Sequence, residues 1–254
     1  MDTTLIVGID CAVDPKNTGL ARAILQDGNL RVLELHERVN AADIATRVAG
    51  WMTETPLGLI AMDAPLGWPA PLARALHRHR AGEALPEKAH PLFRRQCDEV
   101  VASTLKKRPL DVGADRIART AHAALNLLAK IRSATQTDIP LAWTPGPPSE
   151  TVALEVYPGG TLKALGMRSS GYKGAGREDE RSEICLQLRE LMTFDDTLRR
   201  QMTRSDHLLD AALCTLAGAD FMQREMLLPP DDDDVRKEGW IWVRRPIENN
   251  PDDT

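Results

Sequence analysis

Short apolar runs that end on polar or turn-forming residues dominate the first part of the chain. Residues 4–9 are almost wholly apolar and close on Asp10, which predicts a strand buried on both faces and ending in an acid. Residues 19–26 and 30–37 are two further strand candidates, separated by the turn signal Asp27-Gly28-Asn29. The three segments together predict an antiparallel meander. Asn40 is placed to cap a helix over residues 41–52. Residues 57–62 form another buried run that ends at Asp63. Pro65, Gly67, Pro69 and Pro71 then interrupt regular structure.

From residue 70 to residue 135 the periodicity is helical. It is clearest over 115–133, where Ile117, Ala121, Ala124, Leu125, Leu128 and Ile131 share a face. Residues 138–149 are proline-rich and loop-like. A strand over 151–157 is stopped by Pro158-Gly159-Gly160, and a short helix starts within 161–165. Residues 169–176 form a Gly/Ser-rich loop that carries Lys173. Residues 178–201 and 205–224 read as two helices, and 240–243 as a final edge strand. This order predicts an α/β domain with a mixed five-stranded sheet, helices on both faces and a helical insertion at 70–135 after strand 4. One domain spans 1–245, with a flexible tail at 246–254. Ligand sites in open α/β sheets gather beyond the carboxyl ends of the strands.

Composition changes this picture in only a few places. A chain of 254 residues suits one large domain. A net charge of −5 and an aromatic content of 4% do not describe a basic or stacking surface for nucleic acid. The insertion departs from that average: residues 74–119 hold eleven Lys and Arg against six acids. Asp231 to Asp234 is the opposite extreme, a run expected to be solvated and flexible. Cys11, Cys97, Cys185 and Cys214 have neither CxxC nor zinc-finger spacing, so buried reduced thiols are expected. The N-terminus reads as leaderless and no apolar run reaches membrane length, which makes a cytoplasmic location the expectation.

The candidate chemistry is acidic. Asp10, Asp63 and Glu155 lie in or at the end of apolar strands, where a charge needs a partner or a metal. Asp206 and Asp210 are one turn apart on a predicted helix, with His207 between them. Carboxylates brought together repel, and one is pushed to hold its proton unless a cation binds. Mg2+ and Mn2+ favour such oxygen-rich sites. Two such ions about 4 Å apart can activate water and stabilise the leaving oxygen of a phosphodiester. No lysine close in sequence offers these acids a counter-charge. Taken singly, each acid also reads as a turn residue or a cap, Asp206 above all. Arg94, Arg95, Lys173, Arg177 and Arg181 are candidate phosphate contacts. They read equally as ion-pair partners of Asp98, Asp179, Glu180 and Glu183. His77, His79 and His90 form no ligand set.

Five motifs in order carry a family resemblance: Ile6 to Asp10, Met62 to Pro69, Arg95 to Asp98, Glu155 to Pro158, and Asp206 to Ala212. From about residue 4 to residue 243 the chain resembles a prokaryotic family of predicted ribonuclease H-like nucleases, domain-of-unknown-function family 429. The resemblance implies a sheet whose first three strands are antiparallel and whose next strands run parallel to the first. It implies metal-dependent nuclease chemistry with Mg2+ or Mn2+, as in Holliday-junction resolvases. It makes Asp10 the first-strand acid, Asp63 the fourth-strand acid and Asp210 the helix acid, with His207 in the first place of a His/Asp-x-x-Asp-Ala pattern. Glu155 belongs to the family's own pattern. The fourth-strand acid is often Glu in the relatives, and here it is the shorter Asp63. The expected function is hydrolysis of nucleic acid or a nucleotide. The alternatives are a non-catalytic nucleic-acid or ligand-binding module on the same fold, and an actin-like nucleotide-binding phosphotransferase using residues 14–19 as a phosphate turn.

Overall fold

Alternation along the strands divides the interior into two cores, one on each face of a single sheet. The computed structural model describes residues 3–55, 57–85, 88–113 and 115–247. Strands β1 (Thr3–Asp10), β2 (Gly19–Gln26) and β3 (Asn29–His36) form the antiparallel meander. β4 (Gly58–Asp63) pairs parallel with β1, and β5 (Val152–Val156) parallel with β4. Two-residue strands extend the edges: β6 (Met192–Thr193) beside β3, and β7 (Ile241–Trp242) beside β5. The order is therefore β6-β3-β2-β1-β4-β5-β7. Its five long strands have the ribonuclease H-like arrangement that the resemblance implies, and the two short edges bring the expected five strands to seven.

The helices are α1 (Ala41–Met52), α2 (Ala70–Leu76), α3 (Ala89–Phe93), α4 (Gln96–Leu105), α5 (Asp115–Thr135), α6 (Pro158–Ala164), α7 (Glu178–Leu188), α8 (Asp196–Arg204), α9 (Asp206–Met222) and α10 (Asp233–Glu238). Leu5, Val7 and Ile9 of β1 join Ile60 and Met62 of β4 in a core with Ile44, Val48, Leu128 and Ile131 of α1 and α5. The alternate residues Ile6, Leu59 and Ala61 join the second core, built on α9 through Leu209, Ala212 and Leu213.

The α9 backbone lies directly on the sheet. A β-carbon at Gly8 would meet the Ala211 carbonyl oxygen at 2.1 Å, and one at Gly19 would meet the His207 carbonyl oxygen at 2.1 Å. Only the missing side chains permit this approach.

Two expectations are corrected. Residues 178–201 are not one helix: Met192 is buried in the sheet edge as part of β6, and Asp195 starts α8 afresh by accepting from the Leu198 amide at 2.8 Å. Asp231 to Asp234 is not a free run. Asp232 caps α10 and accepts from Gln96 at 2.9 Å, and Asp234 pairs with Arg74 at 2.8 Å, because an acidic helix start faces a basic insertion. The tail begins anchored, with the Ile247 amide donating to the Ala164 carbonyl at 3.0 Å, and residues 248–254 lie outside the described residues. The four cysteines are buried free thiols, as expected. Among the described residues no helix is long and apolar enough to cross a membrane.

The close seating of α9 predicts an asymmetry among glycine substitutions. Gly8→Ala or Gly19→Ala should each cost about 1–3 kcal/mol through overpacking. Gly50→Ala, on α1 with nothing within 4 Å of a built β-carbon, should be neutral or stabilising by about 0.5–1 kcal/mol. Urea denaturation of the three variants reads both effects. A Gly19→Ala protein as stable as wild type would contradict the packing.

Candidate metal centre

The alternation that builds the α9-side core also aims two carboxylates. Asp10 continues the series Ile6 and Gly8, and Asp63 continues Leu59 and Ala61. The two aspartates are Cα partners across the parallel β1/β4 pair, about 4.8 Å apart as neighbouring strands are. Above them Ser205 caps α9 by accepting from the Leu208 amide at 3.3 Å, which sets the helix start. Asp210 then lies one turn in, over the glycine seats. One oxygen each of Asp10, Asp63 and Asp210 lies within 4.8 Å of the others, a grouping able to hold a metal ion. Asp10 is 8% exposed and Asp210 1%.

Burial, helped by repulsion from Asp210, pushes Asp10 up to about 6, although the His207 hydrogen bond works against the rise. Asp63 is pushed well above the usual carboxylate range by burial, with repulsion from Asp10 and Asp210 adding to it and Lys173 opposing it. The His207 imidazole Nδ1 lies 2.7 Å from Asp10 Oδ2, and that hydrogen bond raises the histidine above its ordinary value despite partial burial.

Lys173 overturns the expectation that the acids lack a counter-charge. Its Nζ is 2.6 Å from Asp210 Oδ2, and the Tyr172 hydroxyl donates to Asp210 Oδ1 at 2.8 Å. Burial opposes the charge on Lys173, yet the carboxylates of Asp210, Asp63 and Asp10 hold its proton more firmly than an ordinary lysine does. The strap around it is pinned. Asp206 accepts from the Gly174 amide at 2.8 Å. Arg181, 1% exposed, donates to the carbonyls of Tyr172, Gly174 and Thr203 at 2.7–2.9 Å.

Several expected site residues are not grouped with the three aspartates, although Glu155 and Arg95 line the same cavity as Asp10 and Asp63. Glu155 pairs in register with Met62, not Asp63, and so points to the opposite face. There both its oxygens meet Arg95, at 2.6 and 2.8 Å, and the Leu66 amide adds a third bond at 2.9 Å. Arg95, also bonded to Asp98 at 3.0 Å, is fully engaged inside the protein. Arg94 is held by Glu99 and Asp111, and Arg177 by Glu180. Asp206 and Arg181 hold the strap, and His207 is bonded to Asp10 rather than grouped with the three aspartates. Of the five basic candidates, only Lys173 reaches the acids. The turn at residues 15–17 has its Lys16 amide bonded by the Asp14 carboxylate at 3.0 Å. It thus places an acid where a phosphate turn would offer a donor.

A cavity of about 490 Å³ opens on Asp10 and Asp63. Leu110, Ile117 and Ile241 contribute apolar wall, and Lys107, Tyr157 and Tyr172 line it beside Lys173. Lys107 donates to the Ser169 carbonyl at 2.7 Å, and burial, with Lys173 and Lys163 nearby, lowers its pKa. Burial pushes Tyr157 up to about 12. Lys107 and Tyr172 escape notice in the sequence because neither lies in an acidic or periodic motif.

A family model described as Protein of unknown function (DUF429) matches residues 8–235. No curated protein matches the chain. Among solved structures it is similar to T. thermophilus RuvC in complex with Holliday junction substrate, at 14% identity. That likeness covers 87% of this chain and 95% of the other, with a TM-score of 0.38.

Two substitutions should move stability in opposite directions. Glu155→Gln breaks a buried pair and should cost about 3–5 kcal/mol. Asp10 holds its proton more tightly folded, at about 6, than unfolded, at 3.8. The metal-free protein therefore loses stability as pH rises through that window, and the penalty is complete above it. Asp10→Asn should accordingly melt higher than wild type above neutral pH in the presence of a chelator. Thermal melts of both variants check this, and a lower melting point for Asp10→Asn would contradict the crowding of the acids.

Proposed function

The chain belongs to the DUF429 family, and we propose that it is a metal-dependent phosphodiesterase hydrolysing nucleic acid or a nucleotide. The convergence of Asp10, Asp63 and Asp210, the first two of which line a cavity, carries this reading. The donors fit a hard divalent cation, since all three are carboxylate oxygens, which suit Mg2+ or Mn2+ and not a softer metal. The raised pKa of Asp10 and of Asp63 marks a surplus of negative charge that such an ion would relieve. When bound, the ion supplies polarisation of a phosphoryl oxygen and a lowered pKa for water.

The chain's own residues have separable parts in this reading. Asp10, Asp63 and Asp210 hold the ion. His207 orients Asp10 through Nδ1, which leaves its Nε2 to exchange a proton with water or substrate. Lys173 and Lys107 set positive charge on the cavity wall beside the acids, where it can meet a phosphate. Leu110, Ile117 and Ile241 give a base or sugar an apolar wall. Glu155, Asp206, Arg94, Arg95, Arg177 and Arg181 support the scaffold around the site.

Purified protein with Mn2+ should cleave labelled single-stranded or branched nucleic acid, or a simple phosphodiester. Asp10→Asn, Asp63→Asn and Asp210→Asn should each lower the rate by more than about a hundredfold, beyond the loss expected from a residue that only supports a ligand. His207→Gln should lower it by about a hundredfold. Full activity in Asp10→Asn would remove the proposal.

A further inference from the structure

Asp210 is almost entirely enclosed, and both its oxygens already have donors: the Tyr172 hydroxyl at 2.8 Å and the Lys173 ammonium at 2.6 Å. The residues on either side of Lys173 are fixed. Tyr172 is tied by its hydroxyl to Asp210 and by its carbonyl to Arg181. Gly174 is tied by its amide to Asp206 and by its carbonyl to the same guanidinium. Lys173 is thus delivered to the acids by a stapled strap, and is not a surface lysine that happens to lean inward.

We propose that the Lys173 ammonium is a resident second cation of the centre, so that the three aspartates take one divalent ion and not two. This rests on the metal-dependent reading above and replaces the two-ion chemistry expected from the sequence. Charge supports it: three carboxylates are balanced by one divalent ion and one ammonium, whereas two divalent ions beside that ammonium leave a net positive site in a partly buried place. A fixed ammonium at hydrogen-bond distance from Asp210 also repels a second ion at the range where Coulomb terms are largest. Half of Lys173 remains open, with its side chain 57% exposed, on the cavity where a phosphate would lie. Its remaining N–H donors are free in direction to meet a phosphoryl oxygen as negative charge develops there, as a point charge does well. Arg181 and Asp206 become positioning residues for that charge.

Calorimetric titration of Mn2+ into metal-free full-length protein tests this without relying on turnover. Wild type and Lys173→Arg should each take one ion per chain. Lys173→Met should take a second ion, or bind the first at least about tenfold tighter, while its hydrolysis of a phosphodiester falls by about a hundredfold. A merely structural lysine would lower binding and hydrolysis together. Two ions in wild type would overturn the single-ion assignment and leave the metal-dependent reading standing. Unchanged stoichiometry and affinity in folded Lys173→Met would overturn it as well. Should that variant fail to fold, the wild-type stoichiometry decides. No Mn2+ binding by wild type would remove both the assignment and the reading beneath it.

Discussion

The carbonyl oxygens of Ala211 and His207 occupy the space in which side chains at residues 8 and 19 would stand, and the open end of the sheet is organised by that contact. The two glycines let helix α9 bring its first turns close over β1 and β2. A bulkier residue at either position would lift the helix, and Asp210 would leave the two strand-end aspartates. The same contact is made cohesive along its length by Leu209, Ala212 and Leu213, packed on a sheet face of Ile6, Leu59 and Ala61. The site is therefore held by rigid elements, with one strap added at its edge.

Two concentrations of buried charge result; strand parity turns them to opposite faces, and they meet at the strand ends, where Glu155 and Arg95 line the same cavity as Asp10 and Asp63. On the α9 side three carboxylates crowd together with one lysine, and Asp10 and Asp63 resist ionisation. On the other side Arg95 meets Glu155 and Asp98 with nearly every hydrogen bond satisfied. The second group locks the insertion to β5 and to the chain end, where the buried Glu238 accepts from the Ala70 and Gln96 amides and so caps two helices. The Arg95 group is internally balanced. The aspartates are under-neutralised on the cavity that both groups line, which is the arrangement that suits a bound ion.

Much of this was legible before the structure, for reasons that are local. The boundaries of β2 and α1 follow from turn chemistry and periodicity around Asp27-Gly28 and Asn40. Asp10 and Asp63 stand out because a charge at the end of a wholly apolar run is unusual. What stayed hidden depends on register or on distance along the chain. Glu155 is one residue out of phase with Asp63, and only the pairing of Met62 with Glu155 reveals that. Lys173 reaches Asp210 from a loop with no periodic signal. The break between α7 and α8 depends on Met192 entering the sheet edge beside β3, a long-range pairing that helical periodicity does not show.

Anomalous scattering from crystals soaked in Mn2+ tests the central claim most directly. The account predicts one manganese peak per chain, in contact with the carboxylates of Asp10, Asp63 and Asp210, with the Lys173 ammonium still beside Asp210. Manganese absent from that place, or found only at surface acids such as Asp231 to Asp234, would contradict it.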